Sequence, residues 1–267
     1  MSAAPAPRLA PPAAAEGGRP LHVVQVSRDR RLLDPIRGGE SWSRQQGHAS
    51  ELERQRPGSR MSILVLMDGP RTAERRAGSL RVRAVGDRTG GLVRLLGALR
   101  RLHREDPIDV LTTQSPFEEL WIALVFARIA SVRVVGQIHF DPFSPAFTRG
   151  RFALLRRLRL RLALASLRWL HSLRVVSSGV ERGIAERRLH GRVSIVPVPA
   201  GVRGRAHPGP EQPLEPTVLY VGRLAPEKGL SEWLGVAPRV ARAAPEARFV
   251  WAGGGPCGAA PRTEARA

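Results

Sequence analysis

Two positively charged side chains that could hold a phosphate group lie close together near the carboxyl end of the chain. Residues 218–230 read V-L-Y-V-G-R-L-A-P-E-K-G-L and place Arg223 and Lys228 between two glycines. The apolar run before Gly222 predicts a buried strand, and the spacing of apolar residues after Gly229 predicts a helix. Backbone N–H groups at such a strand–helix turn bind anions. Because arginine offers phosphate two N–H groups and lysine adds a point charge, the stretch predicts a diphosphate-binding turn.

The same turn resembles a motif of a known family. Residues 222–229, G-R-L-A-P-E-K-G, are similar to the G-R…x-x-E-K-G segment of glycosyltransferase family 4, the retaining sugar-nucleotide enzymes of GT-B fold. In that family the arginine and the lysine bind the diphosphate of the donor. The resemblance implies that Arg223 and Lys228 bind a nucleotide-sugar donor, with no metal ion or other cofactor. The alternative is an ordinary strand–helix turn with a solvated basic pair.

A second candidate anion site follows the first predicted strand, residues 21–26. Gly38 and Gly39 lie in the polar loop before a predicted helix, and glycines let a ligand approach the backbone closely. In the family that the motif resembles, a Gly-Gly turn lies near the donor phosphates and the acceptor. The resemblance implies that Gly38 and Gly39 have this role.

His139 follows a predicted strand, residues 132–138, in the sequence H-F-D-P-F. A histidine at this position could donate a hydrogen bond to a sugar hydroxyl or a phosphate. The alternative is a structural histidine whose ring nitrogens already have partners. In family 4, a histidine after a central strand of the first domain faces the transferred sugar. The resemblance of H-F-D-P-F to that context implies that His139 is a catalytic residue.

Strands and helices alternate along most of the chain, which predicts an α/β fold with a parallel sheet covered by helices. We expect a GT-B-like architecture, with a complete Rossmann-like first domain and the start of a second. Ligands of such sheets bind beyond the carboxyl ends of the strands, where Gly38, Gly39, Ser115 and His139 fall. The predicted strands are residues 21–26, 61–67, 79–85, 108–113, 132–138, 173–177, 193–196, 218–221 and 247–252, and the predicted helices are residues 41–55, 90–103, 117–130, 147–171, 180–187 and 230–243.

Length and composition limit the class of protein. The chain has 267 residues, of which 42% are hydrophobic, so most of it can bury a core. Its one cysteine, Cys257, excludes an internal disulfide framework and a cysteine-based zinc site. The sequence has no apolar run of transmembrane length and no signal-peptide core. We therefore expect a soluble cytoplasmic protein.

A formal net charge of +20 raises the alternative of a basic nucleic-acid-binding protein. All but one of the 43 lysines and arginines are arginine, and alanine, glycine and proline are abundant. This bias is typical of a GC-rich coding sequence that places arginine at solvated positions. No zinc-finger spacing, RNP-like aromatic motif or basic-region heptad accompanies the charge. The sequence therefore favours solvated arginines over nucleic-acid binding.

Residues 147–171 predict a long helix in which arginines alternate with leucines and which contains Trp169. Basic amphipathic helices with a tryptophan can lie on an anionic membrane surface. The sequence favours the alternative, a helix that packs its leucines on the sheet and exposes its arginines. Members of the family often use lipid-linked acceptors, so the resemblance implies a lipid-linked or saccharide acceptor, whose identity the sequence does not give. Peripheral binding to the inner face of the membrane remains a hypothesis.

The predicted domain organisation starts with an Ala/Pro-rich tail that we expect to be disordered. Two domains follow, and a Pro/Gly-rich linker joins them. The segments are the tail at residues 1–20, the first domain at 21–202, the linker at 203–216, the partial second domain at 217–256 and an unstructured tail at 257–267.

The predicted second domain holds only two strands and one helix, too little to bury an independent core. After its last strand, G-G-G-P resembles the G-x-G-P turn of the family, which implies that Gly253 and Gly255 lie on the nucleotide side. The family's second domain continues with a Glu-x7-Glu segment that holds the donor sugar and the ribose, and this sequence contains none. We therefore expect a C-terminally truncated glycosyltransferase with impaired transfer. A non-catalytic remnant or binding module is the other alternative.

Overall fold

The structure, a computed structural model, describes residues 18–36, 39–68, 73–87, 91–144, 152–196, 216–224 and 228–255. The strands are β1 His22–Ser27, β2 Arg60–Asp68, β3 Glu74–Ala77, β4 Leu80–Asp87, β5 Val110–Thr113, β6 Arg133–Ile138, β7 Ser172–Val175, β8 Val193–Ile195, β9 Thr217–Val221 and β10 Arg248–Ala252. The α-helices are α1 Gly39–Gln55, α2 Gly91–Glu105, α3 Glu118–Ala130, α4 Ala153–Ser166, α5 Ser178–Glu186 and α6 Leu230–Ala243, and short 3-10 helices lie at Arg30–Leu33 and Leu167–Trp169.

The chain divides into two compact units. Unit 1 comprises residues 1–142 and 155–198, and unit 2 comprises residues 143–154 and 199–267. Nearly all of the predicted amino-terminal tail and linker, and the whole predicted carboxyl-terminal tail, lie outside the described residues. The domain boundaries drawn from the sequence therefore remain a prediction.

An eight-stranded sheet forms the centre of unit 1, in the order β3-β4-β2-β1-β5-β6-β7-β8. Its strands pair in parallel, except that β3 pairs antiparallel with β4. This arrangement, with helices between the strands, confirms the predicted α/β class. Because β2 and β5 pair with opposite edges of β1, the chain changes direction beside β1. The crevice beyond the carboxyl ends of β1 and β5 is the place where such sheets bind ligands.

Helices cover both faces of this sheet. On one face, Trp42 and Ala49 of α1 pack against Ile63 of β2. Connections between parallel strands are right-handed, so the direction of the step along the sheet decides which face the connecting helix covers. Helix α1 joins β1 to β2, and α2 joins β4 to β5 in the opposite direction along the sheet. Helix α2 therefore lies on the other face. Leu95 and Leu99 of α2 are fully buried there. Apolar residues at spacings of three and four form these buried stripes, which is why the sequence predicts both helices.

The predicted strands and helices are all present, but the sequence missed one strand. β3 reads E-R-R-A and shows no apolar alternation. Its Glu74 accepts hydrogen bonds from Arg81 and Arg83 of the neighbouring β4, at 3.0 and 2.8 Å. Charged residues are typical of exposed sheet edges, where they discourage pairing with other chains, and such a strand carries no hydrophobic signal.

The predicted helix at residues 147–171 is too long, because α4 ends at Ser166 and tightens into a 3-10 turn. Ser166 Oγ donates to the carbonyl oxygen of Ala163 at 2.7 Å. Such a side-chain bond competes with the helical pattern and favours an end. Residues 145–151, at the start of the prediction, lie outside the described residues.

The surface of α4 differs from the prediction that the sequence favours. Leu160 and Leu167 are buried, whereas Leu155, Leu158 and Leu162 are 63%, 54% and 51% exposed. The expectation that the leucines of this helix pack on the sheet is therefore wrong for these three residues. Leucines placed all around a helix cannot all face one sheet, since only about one side of the helix contacts it. No helix within the described ranges combines the length and apolarity that crossing a membrane requires.

Unit 2 contains a two-stranded parallel sheet of β9 and β10, joined by α6. Trp233 of α6 packs against Tyr220, Phe249 and Trp251, with ring centroids at 6.1, 5.5 and 4.8 Å. Leu219, on the other face of β9, is 57% exposed. One aromatic cluster therefore holds the described helix and strands of unit 2 together.

Candidate functional site

A cavity of ≈190 Å³ opens beyond the carboxyl ends of β1 and β5. It lies where the sheet changes direction, the usual ligand position of α/β folds. Ser115, which the sequence predicts at this edge, lines the cavity together with Ser27. Arg28, Asp29 and Glu119 also line it and are absent from the sequence prediction. Unit 1 therefore has a pocket of its own at this edge of the sheet.

Asp29 organises the loop on one side of the pocket. Its carboxylate accepts hydrogen bonds from the backbone N–H of Arg31 at 3.2 Å and from Ser41 Oγ at 2.8 Å. Burial opposes ionisation of this carboxyl, but the hydrogen bonds from Arg31 and Ser41 outweigh it and hold the pKa of Asp29 below its usual value. An ionised Asp29 therefore fixes the loop after β1 to the first turn of α1.

Glu119 brings a buried carboxylate to the other side of the pocket. It is 3% exposed, and its Oε1 accepts a hydrogen bond from Nε of Arg28. Its Oε2 is buried and has no hydrogen-bond partner among the described residues. A buried carboxylate oxygen without a donor is costly, so a ligand that donates a hydrogen bond would stabilise it. The sequence gives no signal for Glu119, because it stands beside Glu118 in the first turn of α3, where acidic residues are common.

His139 lies directly after β6, as the sequence predicts. Its Nε2 lies 3.0 Å from Oε1 of Gln137, whose Nε2 donates to Oγ1 of Thr112 at 2.8 Å. Because the amide oxygen only accepts, Nε2 of His139 carries the proton and Nδ1 is an acceptor. Desolvation of the ring, with repulsion from Arg174 and Arg44, lowers the pKa of His139. The ring is therefore neutral at neutral pH and can accept a hydrogen bond from a hydroxyl.

The predicted Gly-Gly turn is only partly described. Gly39 is the first residue of α1, and a Cβ added there would meet nothing within 4 Å. Packing therefore gives no reason for a glycine at this position. The space beside the start of the helix is open. Gly38 lies outside the described residues.

In unit 2, the turns that follow β9 and β10 run side by side. The N–H of Gly222 donates to the carbonyl of Ala252, and the N–H of Leu224 donates to the carbonyl of Gly254, both at 3.0 Å. A Cβ on Gly255 would lie 2.3 Å from the carbonyl oxygen of Leu224, and one on Gly253 would lie 1.8 Å from that of Gly222. Close approach of two backbones therefore requires glycine at positions 253 and 255, whereas a Cβ on Gly254 would meet nothing within 4 Å.

The first of these turns carries Arg223 and Lys228, whose side chains are exposed. Tyr220 Oη lies 3.2 Å from the carbonyl oxygen of Arg223 and 3.3 Å from that of Lys228, so one hydroxyl links both ends of the turn. Gly229 begins α6 with φ at 71°, a left-handed conformation that favours glycine. The predicted strand–turn–helix is present, and Tyr220 is the residue that the sequence prediction missed.

A separate polar group at the amino end of the sheet resembles a catalytic triad in its contacts. His22 Nδ1 donates to the carbonyl oxygen of Asp106 at 3.2 Å, and Ser62 Oγ donates to His22 Nε2 at 2.8 Å. His22 and Ser62 are 1% and 5% exposed, so no substrate reaches the hydroxyl. This group ties β1, β2 and the end of α2 together.

The described ranges contain no evident metal-binding site. No group of three or more histidine, cysteine, aspartate or glutamate side chains is arranged there to hold an ion.

The sequence matches no protein-family model and no curated protein. The fold resembles that of solved structures. One is the apo form of the lipopolysaccharide outer core galactosyltransferase WaaB, with a TM-score of 0.51 and 13% identity, covering 87% of this chain and 68% of that one. Another is an α,α-trehalose-phosphate synthase (UDP-forming) from Burkholderia vietnamiensis, with a TM-score of 0.57 and 16% identity, covering 89% of this chain and 65% of that one.

The chain has a GT-B-like fold. It spans about two thirds of the length of each of these structures. At this level of identity the likeness establishes the fold alone. Within the GT-B-like chain, unit 2 brings Arg223 and Lys228 onto one turn and Gly253 and Gly255 onto the adjacent one, while His139 belongs to unit 1.

Proposed function

We propose that the chain is a GT-B glycosyltransferase of the family 4 type, which moves a glycosyl group from a nucleotide-sugar to an acceptor hydroxyl with retention. The observation that carries the proposal is the turn after β9, where the hydroxyl of Tyr220 links Arg223 and Lys228 beside the start of α6. Two cations at a helix amino terminus suit the diphosphate of a nucleotide-sugar. The fold and the G-R-L-A-P-E-K-G sequence support the same conclusion.

The proposed chemistry depends on the leaving group. The bond between the anomeric carbon and the diphosphate oxygen breaks, and negative charge develops on the diphosphate. Arg223, Lys228 and the N–H groups at the start of α6 supply positive field at that place, which lowers the barrier. The acceptor oxygen forms the new glycosidic bond and passes its proton to the departing diphosphate. Because the sequence holds no Glu-x7-Glu segment, we propose that the chain by itself transfers slowly.

Unit 1 takes the acceptor in this proposal. The cavity beside Ser27, Ser115 and Glu119 offers hydroxyl groups and a carboxylate to a hydroxylated acceptor. His139 presents its neutral Nδ1 as an acceptor for a sugar hydroxyl, since Nε2 is bonded to Gln137. Gly39 leaves open space at the start of α1, where a phosphate could approach the backbone.

The test is the affinity for a nucleoside diphosphate such as UDP, measured by calorimetry. Lys228→Ala and Arg223→Ala should each weaken binding about tenfold or more, the effect of losing one charge-assisted contact. Arg239→Ala is the matched control, because Arg239 is an exposed arginine of α6 outside the turn. Unchanged affinity in both turn variants would contradict the assignment.

A nucleotide-sugar hydrolysis assay separates the enzyme from a non-catalytic remnant. Slow release of UDP that depends on Lys228 supports the transferase. Binding of UDP that depends on Lys228, without hydrolysis or transfer to any saccharide acceptor, supports a binding module.

We also propose that α4 binds an anionic membrane surface, as a lipid-linked acceptor on the inner face would require. The leucine face of α4, formed by Leu155, Leu158 and Leu162, is exposed. The exposed arginines Arg157 and Arg161 follow the same stretch of helix. An apolar stripe flanked by arginines suits the boundary between acyl chains and anionic headgroups.

A further inference from the structure

The sheet face that carries α1 continues past this helix onto β5, β6 and β7, where it becomes polar. The register pairs Gln25 of β1 with Thr112 of β5, and Gln137 of β6 with Arg174 of β7. Paired residues of parallel strands point to the same face, and Gln25 is paired with Ile63, which contacts α1. These side chains therefore line one face of the sheet on the same side as α1.

His139 and Arg174 are neighbours on this polar face. His139 follows Gln137 by two residues, so both point to the same side, and the 3.0 Å contact between their side chains shows it. Arg174 lies beside Gln137 in the register of β6 and β7. The Nε of Arg174 is buried and has no hydrogen-bond partner among the described residues. An arginine donor is therefore left open next to His139.

α1 contributes two more basic side chains to the same place. Arg44 and His48 are four residues apart and lie on one side of the helix. Desolvation and repulsion from both Arg174 and Arg44 lower the pKa of His48, as they do for His139. Each arginine thus lies within electrostatic reach of both histidines. In the described part of the chain, no carboxylate offsets this repulsion at either histidine.

We propose that Arg44, His48, His139 and Arg174, here called the α1–β7 cluster, bind a phosphoryl group. Arg174 is a partly buried positive charge without a counter-charge among the described residues, which is unfavourable, and an anion removes that cost. A phosphoryl group has enough acceptor oxygens to take the open Nε of Arg174 and a donor of the exposed Arg44. Its negative charge also favours protonation of His48 and His139, and Nδ1 of His139 then becomes a donor. Gln25 adds a second buried donor on this face, since its Nε2 has no partner among the described residues.

This site stands on unit 1 alone and does not depend on Arg223 or Lys228. The phosphoryl group could belong to a nucleoside diphosphate or to a phosphorylated saccharide, and the cluster recognises the chemistry that the two share. Its role in glycosyl transfer would be to fix a phosphate-bearing substrate beside His139.

The direct test follows the two histidines by proton NMR in the full chain, with His48→Gln and His139→Gln used to assign their resonances. Pyrophosphate is the probe. Its binding should raise the pKa of both histidines by about half a unit or more, because the anion stabilises their protonated forms. Pyrophosphate that leaves both titrations unchanged at millimolar concentration overturns the proposal.

Two variants and a control localise the anion. Arg174→Gln and Arg44→Gln should each raise the pKa of both histidines without ligand and weaken pyrophosphate binding about tenfold or more. Arg101→Gln, at an exposed arginine on α2, should do neither. Arg44 is exposed on α1, so its replacement leaves the core intact even if Arg174→Gln affects folding. Pyrophosphate affinity that survives both substitutions places the anion elsewhere and overturns the proposal.

Two further ligands identify the source of the phosphoryl group. UDP that shifts the histidines indicates the donor, whereas glucose 6-phosphate that shifts them indicates a phosphorylated acceptor, and either result supports the cluster. If pyrophosphate shifts the histidine titrations and neither UDP nor glucose 6-phosphate does, the result supports a general phosphoryl site. The proposed transferase has its own test, because it requires that Lys228→Ala weaken UDP binding. The pKa shifts that pyrophosphate causes at His48 and His139 do not involve Lys228, so the two proposals can fail independently.

Discussion

Protonation of His22 links stability to pH at the scale of a single residue. Burial, with repulsion from Arg60, lowers its pKa from 6.5 to about 4. The folded state therefore holds a neutral ring, while the unfolded chain takes up a proton near pH 6.5. The stabilising contribution is complete above that pH and is lost as the pH falls toward 4. We expect the free energy of unfolding to drop by up to about 3 kcal/mol over this range, measured by urea unfolding.

The comparison that isolates His22 is the slope of stability against pH. His22→Gln keeps a polar side chain and removes the titration, so its slope between pH 4 and 6.5 should be shallower than that of the wild type. Equal slopes in the two proteins would show that groups other than His22 cause the loss of stability at low pH.

Gly255 tests the turn that carries Arg223. A methyl group at this position would lie 2.3 Å from the carbonyl oxygen of Leu224, so Gly255→Ala must push the two turns apart. We expect this variant to bind UDP about tenfold or more weakly, by calorimetry, because the cations move away from the phosphates. Gly235→Ala in α6 is the control, since its methyl group would meet nothing within 4 Å. Equal binding by the two variants would contradict the role of the paired turns.

Residues that act through local geometry could be predicted from the sequence, and residues that act through distant contacts could not. Arg223 and Lys228 lie seven positions or fewer from the strand end that presents them. Glu119 becomes notable only because Arg28 of a distant strand end covers one of its oxygens and leaves the other without a partner. No spacing in the sequence reports that pairing.

At the scale of elements, the leucine face of α4 gives a test of membrane binding. Leu158→Gln with Leu162→Gln removes two exposed leucines, so the free energy of unfolding should change by no more than about 1 kcal/mol. The variant should lose co-sedimentation with anionic vesicles, which the wild type should show and which salt should weaken. Neutral vesicles are the control. A wild type that stays in the supernatant with anionic vesicles would remove the proposal.

Neighbouring residues in the sequence predict where some helices begin, but they do not predict which strands pair. Ser177 is the N-cap of α5, and its Oγ accepts from the N–H of Val180 at 3.3 Å. This capping residue lies next to the helix in sequence and can be predicted from it. The edge strand β3 could not be predicted, because its E-R-R-A sequence forms a strand only beside the arginines of β4.

At the scale of the whole molecule, the net charge of +20 predicts generic attraction to nucleic acids. We expect weak binding to duplex DNA and to single-stranded RNA, with no preference between sequences, and a steep loss between about 50 and 200 mM salt. Fluorescence anisotropy at the two salt concentrations measures it. Many arginines are already paired in the structure, as Arg159 is with Glu118 and Arg83 with Glu105. Sequence-selective binding that persists at the higher salt would favour the nucleic-acid alternative instead.

The sequence by itself determined the alternation of strands and helices, the α/β class and the strand–turn–helix that holds Arg223 and Lys228. These features depend on periodicity and on neighbours within a few residues, which a sequence displays directly. Only the tertiary structure decided the strand order, the cavity beside β1 and β5, the exposed side of α4 and the pairing that places Gln137 beside Arg174. Those features depend on which distant strands pair, because the pairing fixes which side chains share a face and which face is left uncovered.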